Sequence, residues 1–119
     1  AYDHVNTFHM LHEEGVEIST VRAVGGGTRS TWWTQLKSDL LGVPIEVCTQ
    51  PEPGTFGAAL IAGYGLGVYN DLDDVGEKYS GTSKIYQPDE NRAKLHQDRM
   101  ELYNKTVPNL LATVFQNWR

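Results

Sequence analysis

Apolar residues recur at helical spacing along several stretches of the chain, with short β-prone runs between them. The predicted elements, in chain order, are a helix at 2–14, a strand at 21–24, a helix at 31–41, a strand at 45–48, a helix at 55–66, a short helix ending at 78 and a long C-terminal helix after 89. The second helix carries Trp33, Leu36 and Leu40 as its apolar face. It connects two strands, and a crossover of that length predicts parallel strands. The pattern therefore predicts an α/β fold.

The second half of the chain adds small residues, polar loops and one internal proline. The helix at 55–66 is rich in glycine and alanine, which indicates close backbone packing against a neighbour or a ligand. Residues 80–83 are predicted to form a polar loop and residues 84–86 an extended segment. Asp89 is predicted to cap the C-terminal helix, and Pro108 to break or kink it because proline has no backbone N–H.

Three consecutive glycines, Gly25, Gly26 and Gly27, follow the first predicted strand, and Ser30 is a suitable N-cap for the helix after them. Glycine lets a ligand approach the main chain closely, and a helix start attracts negative charge. The pattern fits a site for a polar or anionic small molecule. It is neither a P-loop, since no lysine follows, nor a dinucleotide fingerprint. On the residues alone, a tight turn without a ligand is the simpler interpretation.

Composition narrows the class of protein. A chain of 119 residues is sufficient for one small domain. Its net charge of −5 argues against a nucleic-acid partner, which favours a basic face. A single cysteine cannot form an internal disulfide, and no apolar run approaches the roughly 20 residues of a membrane span. We therefore expect a cytoplasmic protein that does not interact with membranes.

Two polar clusters are weaker candidates for metal binding. His9 and His12 lie three residues apart, but no third and fourth ligand is evident. Asp71, Asp73 and Asp74 lack the glycine and terminal glutamate of a calcium loop. We interpret the first pair as a solvated or packed helix face and the aspartates as a capped, solvated helix start. No metal site is predicted.

Two longer motifs resemble a known family. The segment AVGGGTRSTWWTQLKSDLLGVPIEV, followed by EPGTFGAALIAGYGLGVY, resembles the end of the C-terminal domain of FGGY-type carbohydrate kinases, especially xylulose kinases and related pentulose kinases. The resemblance runs from about Val5 to the C-terminus. It implies an actin-like, ribonuclease-H-like ATPase fold with two domains and a cleft between them. It also implies phosphorylation of a sugar hydroxyl by ATP with Mg²⁺.

The resemblance also assigns residues. In that family the glycine turn holds the adenosine part of ATP, which places Gly25, Gly26 and Gly27 against the nucleotide and Ser30 near the adenine or ribose. The helix within 54–63 would support this wall. No catalytic residue is expected here, because the family's Asp-x-Gly-Thr phosphate motif, second phosphate loop and catalytic aspartate are absent from the sequence.

We therefore expect residues 1–119 to be a C-terminal fragment of such a kinase, an expectation that the uncapped helix at the start of the sequence supports. The missing part would then bind the sugar and would hold most of the Mg²⁺ coordination. A self-contained, non-catalytic nucleotide-binding or interaction module is the alternative. The sequence leaves the sugar open, and also the oligomeric state, for which a homo-oligomer is possible.

Overall fold

The computed structural model describes residues 1–50, 52–79 and 81–116, without the side chain of residue 79. Its elements, in chain order, are α1 (Tyr2–Glu13), β1 (Val21–Ala23), a 3₁₀ turn (Gly26–Arg29), α2 (Thr31–Leu41), β2 (Ile45–Cys48), α3 (Pro53–Gly65), α4 (Leu72–Tyr79), β3 (Thr82–Tyr86), α5 (Glu90–Lys94) and α6 (Gln97–Gln116). The bounds of α2 and β2 are those predicted. The helix predicted at 55–66 begins two residues earlier, at Pro53.

The three strands form one sheet in the order β1-β2-β3. β1 pairs with β2 in parallel, with Val21 opposite Ile45, which confirms the predicted βαβ unit. β3 pairs with β2 antiparallel, with Tyr86 opposite Ile45. The extended segment predicted at 84–86 is therefore a strand of five residues, and part of the predicted polar loop belongs to it.

The apolar core of the described residues is small. Val5, Ile45 and Tyr86 are its buried apolar members, and Ile45 on the central strand is 1% exposed. The predicted apolar face of α2 is only half-buried. Buried instead on this helix are three polar residues: Thr34, Ser38 and Asp39.

Hydrogen bonds make the burial of polar groups on α2 tolerable. The Ser38 hydroxyl lies 2.9 Å from the carbonyl oxygens of both Val43 and Tyr86, so its proton is held between them. Buried polar atoms in folded proteins are generally satisfied in this way. Ser38 thereby connects α2 to β3 and to the turn that leads into β2.

The prediction of a single C-terminal helix after Asp89 is wrong in one respect. Asp89 does cap a helix, because its Oδ1 accepts the N–H groups of Asn91 and Arg92 at 2.9 and 3.1 Å. That helix is the short α5, which a turn separates from the long α6. α6 continues through Pro108 rather than ending there.

The glycine-rich helix α3 has no buried residue. A Cβ on Gly63 would lie 2.6 Å from the ring of Tyr69, so the predicted close packing is confirmed at this glycine. A Cβ on the other helix glycines, Gly54, Gly57 and Gly65, would meet nothing within 4 Å. Across the described ranges, no helix combines the length and the apolar character that crossing a membrane requires.

Candidate functional site

The glycine turn lies at the carboxyl end of β1. Gly25 has φ 83° and ψ −177°, a left-handed region that favours glycine. The next four residues form a 3₁₀ turn that the sequence pattern does not predict. Thr28 fastens this turn, because its N–H and its Oγ1 both donate to the carbonyl oxygen of Gly25, at 3.1 and 2.8 Å.

The outer surface of the turn is open. A Cβ built on Gly25, Gly26 or Gly27 would meet no atom within 4 Å. Positive φ occurs at Gly25 but at neither Gly26 nor Gly27. Conformation therefore explains glycine only at the first position. At the other two, the consequence of glycine is a bare main chain that a ligand can reach.

Ser30 connects the turn to α2. Its backbone is extended, and its Oγ accepts the N–H of Trp33 at 3.3 Å, which confirms the predicted N-cap. Its carbonyl oxygen accepts the first N–H of the helical ladder, from Thr34, at 3.0 Å. The amino end of α2, where a helix has surplus donors and partial positive charge, therefore adjoins the glycine turn.

A second loop reaches the same edge of the sheet. Arg29 Nη2 lies 3.3 Å from Glu52 Oε1, in the loop between β2 and α3. Both side chains are largely exposed, so this ion pair adds little stability. It does show that the loops after β1 and β2 meet. In open α/β sheets, ligands bind at this carboxyl edge of the strands.

Two tryptophans, Trp32 and Trp33, lie in the first turn of α2, next to the glycine turn. Trp32 is 69% exposed, whereas Trp33 is half-buried, because adjacent helix positions point about 100° apart and cannot both face the core. Their ring centroids are 6.2 Å apart with 27° between the planes. Trp32 thus offers an exposed aromatic surface two residues from Ser30.

Asp39, near the C-terminal end of α2, is not among the residues that the sequence analysis singles out, yet its carboxylate accepts four hydrogen bonds. It is 4% exposed. Its carboxylate accepts hydrogen bonds from Arg92 Nε at 2.7 Å, Arg92 Nη2 at 3.0 Å, Gln35 Nε2 at 2.8 Å and the Asp89 N–H at 2.9 Å. Burial alone raises the pKa of Asp39, but these hydrogen bonds and the charge of Arg92 outweigh it and lower the pKa below its ordinary value.

We refer to Asp39, Gln35, Arg92 and the Asp89 N–H as the Asp39 cluster. It stabilises α2 at the end opposite the glycine turn. It fastens α5 to α2, the helix that Ser30 caps. Gln35 adds a second tie, because its Nε2 also donates to the carbonyl oxygen of Gln87 at 2.7 Å. A signal for this cluster exists in the sequence: Gln35 and Asp39 are four residues apart on one helix face.

The two weaker candidates for metal binding lie at positions that the fold explains without a metal. His9 and His12 line a shallow groove with residues from 16–18 and 41–43. Among the residues that the structure describes, no three His, Cys, Asp or Glu side chains are placed to hold a metal ion together. Asp71 Oδ1 accepts the N–H of Asp73 at 2.8 Å, which confirms the capped helix start predicted there.

The sheet, the turn and the capped helix define an α/β domain of the kind that binds small molecules at the carboxyl edge of parallel strands. Comparison with known families makes the class specific. The sequence model described as "FGGY family of carbohydrate kinases, C-terminal domain" matches residues 2–66, which include the glycine turn, α2 and α3. The chain belongs to the FGGY family of carbohydrate kinases.

Individual relatives agree with this assignment. A xylulose kinase of Staphylococcus epidermidis is 26% identical over 102 residues, which are 86% of this chain and 21% of that protein. An autoinducer-2 kinase of Yersinia enterocolitica is 36% identical over 92 residues, 77% of this chain and 17% of that protein. The solved structure of a ligand-bound xylulose kinase from Lactobacillus acidophilus superposes with a TM-score of 0.68 at 27% identity, over 87% of this chain and 21% of that one.

These matches confirm the predicted fold class, the C-terminal part of an actin-like ATPase domain. They also confirm the resemblance to carbohydrate kinases that the two motifs indicate. The chain spans about a fifth of the length of the relatives that it matches.

Proposed function

We propose that this chain is the C-terminal part of an ATP-dependent carbohydrate kinase and forms one wall of its adenosine pocket. The observation that carries the proposal is the open glycine turn at the start of a capped helix, inside the region that the family model matches. Bare main chain allows a flat base or a ribose to pack closely. This assigns the wall to Gly25, Gly26 and Gly27.

Ser30 adds a polar contact to this wall. Its Oγ caps α2 by accepting one N–H, and a hydroxyl can accept and donate at the same time. The Ser30 hydroxyl can therefore hold the helix start and still donate to an acceptor on the adenine or ribose. This explains why a short side chain at position 30 serves both the fold and the proposed ligand.

The phosphates, Mg²⁺ and the sugar are assigned to the rest of the kinase. In-line phosphoryl transfer needs a carboxylate base beside the acceptor hydroxyl. Asp39 is unsuited to that role, because it is buried under Arg92 and its pKa is lowered. Asp71 is engaged in capping α4. Kinases usually hold Mg²⁺ through one or two carboxylates together with the substrate phosphates, so we assign the ion, with the phosphates, to the rest of the kinase.

We propose a pentulose such as xylulose as the substrate of the full-length kinase. Support comes from the xylulose kinases of Staphylococcus epidermidis and Lactobacillus acidophilus. The relative named autoinducer-2 kinase makes autoinducer-2 the alternative substrate to test. We further propose a cytoplasmic location, where ATP is available, and small molecules rather than nucleic acids as partners, in keeping with the net charge of −5.

We predict that the 119-residue chain alone shows no sugar-dependent turnover of ATP, whereas the full-length kinase phosphorylates a pentulose. The chain offers one wall for the adenosine and lacks most charge-assisted contacts to the phosphates. The measurement is coupled ADP release by both proteins, with a panel of ketoses and polyols that includes xylulose and autoinducer-2.

Each arm of this assay can contradict the proposal. Turnover by the 119 residues alone would mean that they contain the catalytic base. The inference that this base lies in the rest of the kinase would then be wrong. If the full-length protein releases no ADP with any compound of the panel, the proposed kinase activity is wrong. The alternative, a self-contained binding module, would then be favoured.

A further inference from the structure

The first half of α6 packs against α1. The rings of Tyr2 and Tyr103 have centroids 5.4 Å apart, and the Tyr103 hydroxyl donates to Asp3 Oδ1 at 2.5 Å. Asn6 Nδ2 donates to Asn104 Oδ1 at 3.0 Å. The side of α6 that carries Tyr103 and Asn104 is therefore an intramolecular interface.

The second half of α6 is uncharged and amphipathic. Residues 106–116 contain no Asp, Glu, Lys or Arg. Apolar residues recur on one side of this stretch: Val107, Leu110, Leu111 and Val114. Leu110, Leu111 and Val114 are 59%, 48% and 44% exposed. The opposite side is polar or small: Asn109, Ala112, Thr113 and Gln116. We refer to the four apolar residues as the distal face of α6.

The distal face continues the interface with α1 along the same side of the helix. Val107 lies four residues after Tyr103, and Leu111 four residues after Val107. The three side chains therefore form a row along one side of the helix. No described residue of α6 is buried. A contiguous apolar face on one side of a helix, when left exposed, marks an interaction surface.

We propose that the distal face of α6 is an intramolecular docking face, covered in the full-length kinase by the part of the polypeptide outside residues 1–119. This inference rests on the proposed function for the existence of that part. Two observations select this occupant. The face prolongs an interface that is already intramolecular, and the xylulose kinase relative is about four times as long as this chain.

Other occupants fit less well. The uncharged stretch is about 16 Å long, one helix side of three turns. That is too little surface for the about 800 Å² per partner of a standard interface between two copies. A helix that lies on a membrane usually carries Lys or Arg on its polar side, and this stretch has neither.

The test compares Leu111→Glu with Ala112→Glu in the full-length protein. Both variants place the same charge at neighbouring positions, but about 100° apart around the helix. We expect Leu111→Glu to lower the thermal unfolding midpoint by about 5 °C or more, and Ala112→Glu by about 1 °C or less. If Leu111→Glu fails to fold, Leu111→Ala should still lower the midpoint more than Ala112→Glu. Sedimentation velocity should show the same oligomeric state for all variants.

The outcomes separate the alternatives. Equal midpoints for Leu111→Glu and Ala112→Glu would overturn the proposal, because the distal face would then be exposed in the full-length protein. A wild-type oligomer that Leu111→Glu dissociates would assign the face to a second copy and also overturn it. Flotation of the wild type with phosphatidylserine vesicles, absent for Leu111→Glu, would assign the face to a membrane surface. That result would also overturn the proposal. A wild type without kinase activity but with the expected midpoints would contradict the proposed function and support the docking face.

Discussion

Gly26→Val in the full-length kinase should raise the KM for ATP tenfold or more, equivalent to about 1.4 kcal/mol, with little change in the KM for the sugar. The physical reason is the loss of bare main chain where the adenosine is proposed to pack. A valine Cβ at this position meets no protein atom within 4 Å, and φ at Gly26 is not positive. The substitution should therefore leave the fold intact. Steady-state kinetics with each substrate varied in turn measure the effect.

Gly25→Val is the matched comparison for this experiment. Gly25 has φ +83°, so a branched side chain strains the backbone there whatever the ligand does. We expect Gly25→Val to lower the unfolding midpoint as well as ATP affinity, whereas Gly26→Val should lower only the affinity. A folded Gly26→Val variant with an unchanged KM for ATP would contradict the adenosine assignment.

Asp39→Ala should lower the free energy of unfolding of this chain by about 3 kcal/mol. The substitution leaves the Arg92 guanidinium, the Gln35 amide and the Asp89 N–H without their common acceptor. Arg92 is half-exposed and can turn to water, which keeps the loss at the lower end for a broken buried pair. Equilibrium unfolding in urea, followed by circular dichroism, measures the change.

Glu101→Ala is the control for Asp39→Ala. Glu101 forms an exposed ion pair with Lys105 at 3.8 Å, which should contribute no more than about 0.5 kcal/mol. Similar losses from both substitutions would show that the Asp39 cluster has no special role in stability.

Acid titration provides a second check on Asp39. Its pKa is lower in the folded state than its ordinary value of 3.8, so its stabilising effect is fully present above that value. The effect disappears as the pH falls through the folded-state pKa. The difference in stability between wild type and Asp39→Asn should therefore shrink on acidification below about pH 4. A difference that stays constant in this range would argue against the charged cluster.

Local signals explain why the βαβ unit is predictable. Ser30 caps α2, and Gly42 ends it in the left-handed conformation, so both bounds of the helix are encoded by neighbouring residues. β2 is short, apolar at three of its four positions and flanked by turn residues. Strand β3 is harder to find, because four of its five residues are exposed and its apolar partner, Ile45, lies 41 residues before Tyr86.

The Asp39 cluster escapes sequence reasoning for a similar reason. Arg92 lies 53 residues after Asp39, and a single sequence does not reveal pairs at that distance. The apolar spacing of α2 emphasises Leu36 and Leu40, whereas the structure buries Ser38 and Asp39 more deeply because partners from β3 and α5 satisfy them.

The candidate site, too, is only partly predictable from the sequence. The strand, the glycine turn and the cap at Ser30 follow from the residue pattern, and the structure confirms them. The 3₁₀ turn at Gly26–Arg29, and the fact that only Gly25 needs positive φ, depend on geometry that the pattern does not contain. The assignment of the turn to adenosine comes from the family resemblance and remains a prediction.

The most direct test of that assignment is a crystal structure of the full-length kinase with a non-hydrolysable ATP analogue. We predict that the adenosine lies within about 4 Å of the main chain of Gly25–Gly27, with the Ser30 hydroxyl in hydrogen-bonding distance of the base or the ribose. An analogue bound in the kinase with its adenosine elsewhere, and with this glycine turn open to solvent, would contradict the account.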